Sequence, residues 1–199
     1  MGRLEPVSVE RTLLLAQIED YRVFLTGNPR AERDEFLPFF RARPQLSAYI
    51  GTLHRKVGTA DRLAFEFSLW GDFRCDLVAG DLSTGAFVFA EFEGAGESDL
   101  FRREPGRRVS RWGNRVEGAI SQVTDWLFRL AQEQNSPTME RDLGVQNPHP
   151  VGLVVAGRGS EVDTYDARRL AWRSDHTIIG GSQLILMTIC SPGSCAESR

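Results

Sequence analysis

Four residues of this 199-residue chain combine types and spacing that can do chemistry: Asp76, Glu91, Glu93 and Gln122. Glu91 and Glu93 end an apolar run that also carries Phe87 and Phe89. On a strand, residues two apart point to one face, which sets the two glutamates about 6 to 7 Å apart from the strand rise. Asp76 lies in the preceding apolar run and, on a neighbouring strand, can face the same way beside Val78. Glu66, one strand earlier, is a fourth carboxylate whose membership depends on register. Carboxylates crowded on a half-apolar face repel one another, and each loses hydration. A cation resolves that conflict. All-oxygen donors favour Mg²⁺, Mn²⁺ or Ca²⁺ over zinc, and such an ion can activate a water and stabilise charge on a phosphodiester. The competing reading is a solvated strand end with Asp76 merely polar, and the spacing alone leaves both open.

Two neighbours favour the chemical reading. Six arginines fall between Arg102 and Arg115, so a phosphate-binding surface can adjoin the acidic strand, although a solvated arginine loop has the same sequence. Downstream, Arg115, Gly118, Gln122 and Arg129 recur at helical spacing. Gly118-Ala119 is expected to allow close approach to a sheet and to aim Gln122 at the acidic strand. The alternative for Gln122 is an ordinary surface glutamine.

The elements that must position these residues are legible in outline. Leu13, Leu14, Ile18, Tyr21 and Leu25 predict a helix over residues 9–25, ended at Gly27-Asn28-Pro29. Further helices are expected over 31–40 and 45–53. Alternation then predicts a strand at 63–69. The turn at Gly71-Asp72 and the loop at 80–85 set off further strands at 73–79 and 86–92, and the short connections favour an antiparallel meander. Residues 94–110 read as irregular. A stripe of Trp112, Val116, Ala119, Ile120, Val123, Leu127 and Leu130 predicts the longest helix. Residues 132–149 read as a loop, 151–156 as a strand, 163–172 as a short helix and 183–188 as a last strand. The order gives an α/β domain with a mixed sheet flanked by helices and an N-terminal helical segment.

Composition narrows the classes. Hydrophobic residues at 41% and charged residues at 26% suit a globular domain with its own core. No run approaches the roughly 20 apolar residues that span a bilayer, and the N-terminus lacks the pattern of a secretory signal. No membrane association and a cytoplasmic location are expected. Cys75, Cys190 and Cys195 give no disulfide framework or zinc spacing, and Cys75 reads as a buried small hydrophobe. His54, His149 and His176 are scattered without nucleophile partners. The net charge of −3 does not by itself advertise nucleic-acid binding.

The order Asp76, then Glu91 and Glu93 closing an apolar strand, then a helix with Gln122, resembles the PD-(D/E)XK nuclease core. More narrowly, the segments Phe87 to Glu93, Trp112 to Arg115, Glu117 to Trp126 and Val151 to Arg158 resemble the catalytic domain of the Shedu anti-phage defence nucleases. The resemblance runs from about Arg62 to Thr188. It implies a restriction-endonuclease-like fold, Mg²⁺- or Mn²⁺-dependent cleavage of foreign (phage or plasmid) DNA, and a homo-oligomeric assembly. It divides the chain into an N-terminal helical segment (1–58), a nuclease-like domain (59–189) and a disordered tail (190–199). Carried over by position, Asp76 and Glu91 are metal ligands and Gln122 supports the site or its water; Arg111, Arg115 and Arg158 are expected to meet nucleic acid. The departure is Glu93, where the pattern has lysine. A glutamate can accept a proton or join the ligand set, with Arg111 and Arg115 as candidates for the missing positive charge. The alternative is a non-cleaving domain that binds nucleic acid or a partner subunit. A second departure follows Thr188, where the chain leaves the family pattern.

Overall fold

Continuous burial along the central strands explains the centre of the molecule, in which one sheet is covered on both faces. The computed structural model describes residues 2–28, 30–94, 96, 100–158, 162–176, 178–179 and 182–189. Among these, helices α1 (Arg11–Gly27), α2 (Arg33–Arg41) and α3 (Pro44–Tyr49) come first, and a 3-10 turn continues α3 over Ile50–Leu53. Strands β2 (Arg62–Leu69), β3 (Phe73–Asp81) and β4 (Ala86–Phe92) then form the expected antiparallel meander. The long helix α4 (Asn114–Gln132) crosses over to β7 (His149–Arg158), which lies parallel to β4. After α6 (Thr164–His176), the strand β9 (Ser182–Ile189) pairs parallel to β7. Two-residue strands close the edges, β1 (Glu5–Pro6) beside β2 and β8 (Ile178–Ile179) beside β9. The sheet order is therefore β1-β2-β3-β4-β7-β9-β8, mixed and flanked by helices. This is a mixed α/β architecture of the restriction-endonuclease-like kind.

The period of two sorts the strand residues between two cores. Val78, Phe87, Phe89 and Val154 meet Val116, Ile120, Val123 and Leu127 of α4. Leu77, Ala79, Val88, Ala90, Phe92 and Leu153 meet Leu25, Phe36, Phe39 and Phe40 from α1 and α2. The front helices thus share a core with the sheet. Phe40 stacks on Phe92 at 4.8 Å between ring centroids, and Phe24 stacks on Phe39 at 4.2 Å. These aromatic contacts seat α2 against the end of β4.

Several details differ from the sequence reading. Trp112 is not on the long helix. It pairs in β6 (Arg111–Trp112) with β5 (Phe101–Arg102), because Gly113 takes an extended N-cap conformation and the helix begins after it. The supposed loop at 132–149 contains α5 (Pro137–Leu143). Its signals are local: the Ser136 hydroxyl accepts from the Met139 N–H, Pro137 opens the helix, and Gly144 closes it at φ 77°. The tail from 190 onward lies outside the described residues, Cys190 and Cys195 included. Cys75 is buried, and its thiol donates to the Phe67 carbonyl.

The close approach expected at Gly118 occurs from the other side. A Cβ on Gly118 would meet nothing within 4 Å, whereas one on Gly152 of β7 would lie 2.3 Å from Val123 Cγ1 and 3.0 Å from Leu127 Cδ1. Gly152 sets the distance between α4 and the sheet, and so the reach of Gln122. Gly152→Ala is expected to lower stability by about 1 to 3 kcal/mol through overpacking, read as a lower urea midpoint. An unchanged midpoint would mean that α4 is free to move away.

Candidate functional site

The acidic residues sit where β3 and β4 part. The last backbone pair along that ladder is Leu77 with Ala90, one step before Asp76 and Glu91. Beyond it, the Phe92 N–H donates to Asp76 Oδ2 at 3.0 Å, so a side chain replaces the main-chain acceptor. Asp76 is completely buried. Its charge is matched by Arg33, at the first position of α2, which donates from Nε to Oδ2 at 3.1 Å and from Nη2 to Oδ1. A bidentate guanidinium is the strongest partner a buried carboxylate can have from protein side chains. The pair raises the Arg33 pKa above its ordinary value, chiefly through the Asp76 hydrogen bond.

Glu91 is in a different condition. It is only 5% exposed, and its Oε2 has no hydrogen-bond partner. Burial pushes its carboxyl up to about 8, with the Asp76 charge and then Glu93 adding to the effect. Arg33 opposes the shift, as does Gln122, which bonds from α4 and exerts the smallest of the five influences. An orphaned, buried carboxylate oxygen beside a second carboxylate is what a cation would relieve.

Two further contacts fix α2 over this point. Glu32 and Glu35 form a capping box at its N-terminus, with the Glu32 N–H donating to Glu35 at 2.9 Å. The Glu32 carboxylate also holds Arg115 from the first turn of α4. The N-cap Glu32 and the first helical residue Arg33 therefore reach the arginine of the long helix and the acidic strand in turn.

The remaining candidates lie as follows. Glu93 follows β4, half-buried, with its N–H donating to the Val155 carbonyl at 2.8 Å. Its charge acts on Glu91. Glu66 stands between two β2 residues paired with β3, Phe65 opposite Leu77 and Phe67 opposite Cys75, at φ 50°. It bonds to Arg41 at 2.7 Å and Arg74 at 3.4 Å instead of joining the cluster, which holds its carboxyl below the usual range. Arg111 belongs to the β5–β6 ribbon, bound to Glu104 at 3.1 Å. Arg102 shares the same glutamate at 3.1 Å, so part of the arginine run is an ordered network. A groove of about 690 Å³ beside it is lined by Arg102, Arg107, Arg108, Arg111 and Arg169. Arg158 ends β7, and its side chain lies outside the described residues. His54 is buried, its pKa lowered by burial and by His149, with Nδ1 accepting from the Lys56 N–H.

The donor chemistry suits a hard dication. Asp76 and Glu91 offer carboxylate oxygens, and Glu91 Oε2 is uncommitted. Among the described residues, however, no group of three or more His, Cys, Asp or Glu is already arranged as a cation site. Both oxygens of Asp76 are engaged by Arg33.

Arg33 is the neighbour of the acidic pair that spacing arguments miss. It lies 43 residues before Asp76, and no motif links the two. The one local signal is the Glu32…Glu35 pair, which marks a helix start and so places Arg33 at an N-terminus.

No curated protein matches the chain. The family described as Shedu protein SduA, C-terminal, matches residues 30–188. That span starts just before Arg33 and takes in α2, the whole acidic cluster, α4 and β7. The chain therefore belongs to the Shedu family, whose role is anti-phage defence, through its SduA C-terminal domain.

Proposed function

We propose that this chain is a divalent-metal-dependent nuclease of PD-(D/E)XK type that hydrolyses phosphodiester bonds in foreign DNA. The observation that carries the proposal is Glu91, buried with an unpartnered oxygen beside Asp76 and under Gln122. Asp76 and Glu91 would hold Mg²⁺ or Mn²⁺, which supplies an acidified water and charge neutralisation at the phosphate. Glu93, at the strand end, accepts a proton from the attacking water or completes the ligand set. Gln122 orients Glu91 from α4. Arg111, Arg115 and Arg158 take the phosphate backbone.

The same reading treats residues 1–58 as a helical segment before a nuclease domain at 59–189. It places the protein in the cytoplasm as a homo-oligomer. No helix among the described residues is long and apolar enough to cross a membrane.

Two observations favour a second reading. Glu93 supplies a negative charge where a lysine would stand, and Arg33 already neutralises Asp76. A domain that binds nucleic acid or a partner subunit without cutting would tolerate both. Incubation of plasmid and single-stranded DNA with Mg²⁺ or Mn²⁺ separates the two. The nuclease reading expects cleavage, abolished by chelator, and cleavage in neither metal would sink it. Gln122→Ala is expected to slow cleavage by about 10- to 100-fold, as loss of a supporting hydrogen bond does at a metal site, with the melting temperature unchanged. An undiminished rate would return Gln122 to the helix surface.

A further inference from the structure

We infer that Arg33 is a built-in competitor for the cation, occupying Asp76 until a divalent ion displaces it. The inference rests on the metal-site reading above but concerns a residue outside the acidic strands. Three observations lead to it. Arg33 contacts both oxygens of Asp76, and Oδ2 also accepts the Phe92 N–H, so Asp76 has little lone-pair capacity left for a metal. The adjacent Glu91 is buried with one oxygen unpartnered, so the pocket is half-filled with positive charge rather than fully neutralised. The Arg33 side chain is 36% exposed whereas that of Asp76 is 1% exposed, so the arginine has a route to solvent and the aspartate has none.

A guanidinium and a dication cannot both sit close against one buried carboxylate, because they repel each other in a poorly screened site. Binding of the ion therefore requires Arg33 to swing outward. Its neighbour Glu32 holds Arg115, so the first turn of α2 ties down one arginine and itself supplies another. A phosphate backbone at the site competes for both. Ion and nucleic acid then favour the same opened arrangement. In their absence Asp76 stays neutralised by Arg33, which restrains a toxic activity without a separate inhibitor.

Calorimetric titration of the full chain with Mn²⁺ tests this without any cleavage readout. Arg33→Gln keeps one donor for Asp76 and removes the charge, and is expected to bind Mn²⁺ about tenfold more tightly than wild type. Arg33→Lys, charged but without the fork, should fall between them. The gain should vanish in Arg33→Gln/Asp76→Asn. Equal or weaker binding by Arg33→Gln overturns the inference, as does an absence of binding in every variant. DNA cleavage by wild type judges the nuclease reading separately. A chain that cleaves while Arg33→Gln binds no tighter loses only the competition. A chain that fails to cleave while Arg33→Gln binds tighter keeps it.

Discussion

Glu91→Ala is expected to reduce metal-dependent DNA cleavage by about 10³-fold or more, in line with losing a directly bonded group at a reacting centre. DNA affinity should stay within about twofold, because phosphate contacts from arginines dominate that affinity. The split between rate and binding is the informative part. Glu91 is 5% exposed and has no arginine of its own, so it has little to offer a nucleic-acid strand directly. A variant that cleaves normally, or that loses binding along with cleavage, would remove Glu91 from the role given to it.

The same residue should weaken the fold at high pH. Its carboxyl is raised from 4.5 to about 8 by burial, Asp76 and Glu93. Between those values the folded chain holds a proton that the unfolded chain has released, so folding binds protons and stability falls as pH rises. The contribution is complete below 4.5 and gone above about 8. Glu91→Gln keeps the shape and removes the ionisation. It should therefore be nearly neutral at pH 4.5 and stabilising at pH 9, by about 5 kcal/mol on a scale of 1.36 kcal/mol per pKa unit. Thermal or urea unfolding across this range measures the difference. Saturating Mn²⁺ should shrink it, since a cation relieves the wild-type carboxylate. Parallel stability profiles for wild type and Glu91→Gln would mean that Glu91 is not under electrostatic pressure. A gain in stability with a loss of activity from one substitution marks a site held against the preference of the fold.

The meander was legible from its short connections and apolar runs. In β4 Phe87 and Phe89 fall to one core and Val88 and Ala90 to the other, whereas in β2 and β3 the period breaks at Glu66, so that Phe67 and Cys75 join the core opposite to Leu77. The long helix was legible from Val116 to Leu130, but its start was not. Trp112 continues the apolar spacing although Gly113 breaks the helix, and periodicity cannot distinguish a residue on a helix from one just before it. The edge strands Glu5–Pro6 and Ile178–Ile179 are too short to carry any period. At the site, the acidic residues on neighbouring strands followed from the period of two together with short loops. The partner of Asp76 did not, because Arg33 is brought in by the stacking of Phe40 on Phe92, a tertiary contact without a local pattern. For the same reason the missing lysine charge was sought in Arg111 and Arg115, which are close in sequence. The structure binds these to Glu104 and Glu32 and brings Arg33 to Asp76.

The most direct measurement is anomalous diffraction from a crystal of the protein soaked in Mn²⁺. A peak is expected within about 2.0 to 2.3 Å of carboxylate oxygens from both Asp76 and Glu91, with the Arg33 guanidinium withdrawn from Asp76. A peak bound elsewhere, or none while Arg33 remains on both Asp76 oxygens, would contradict the metal-site reading.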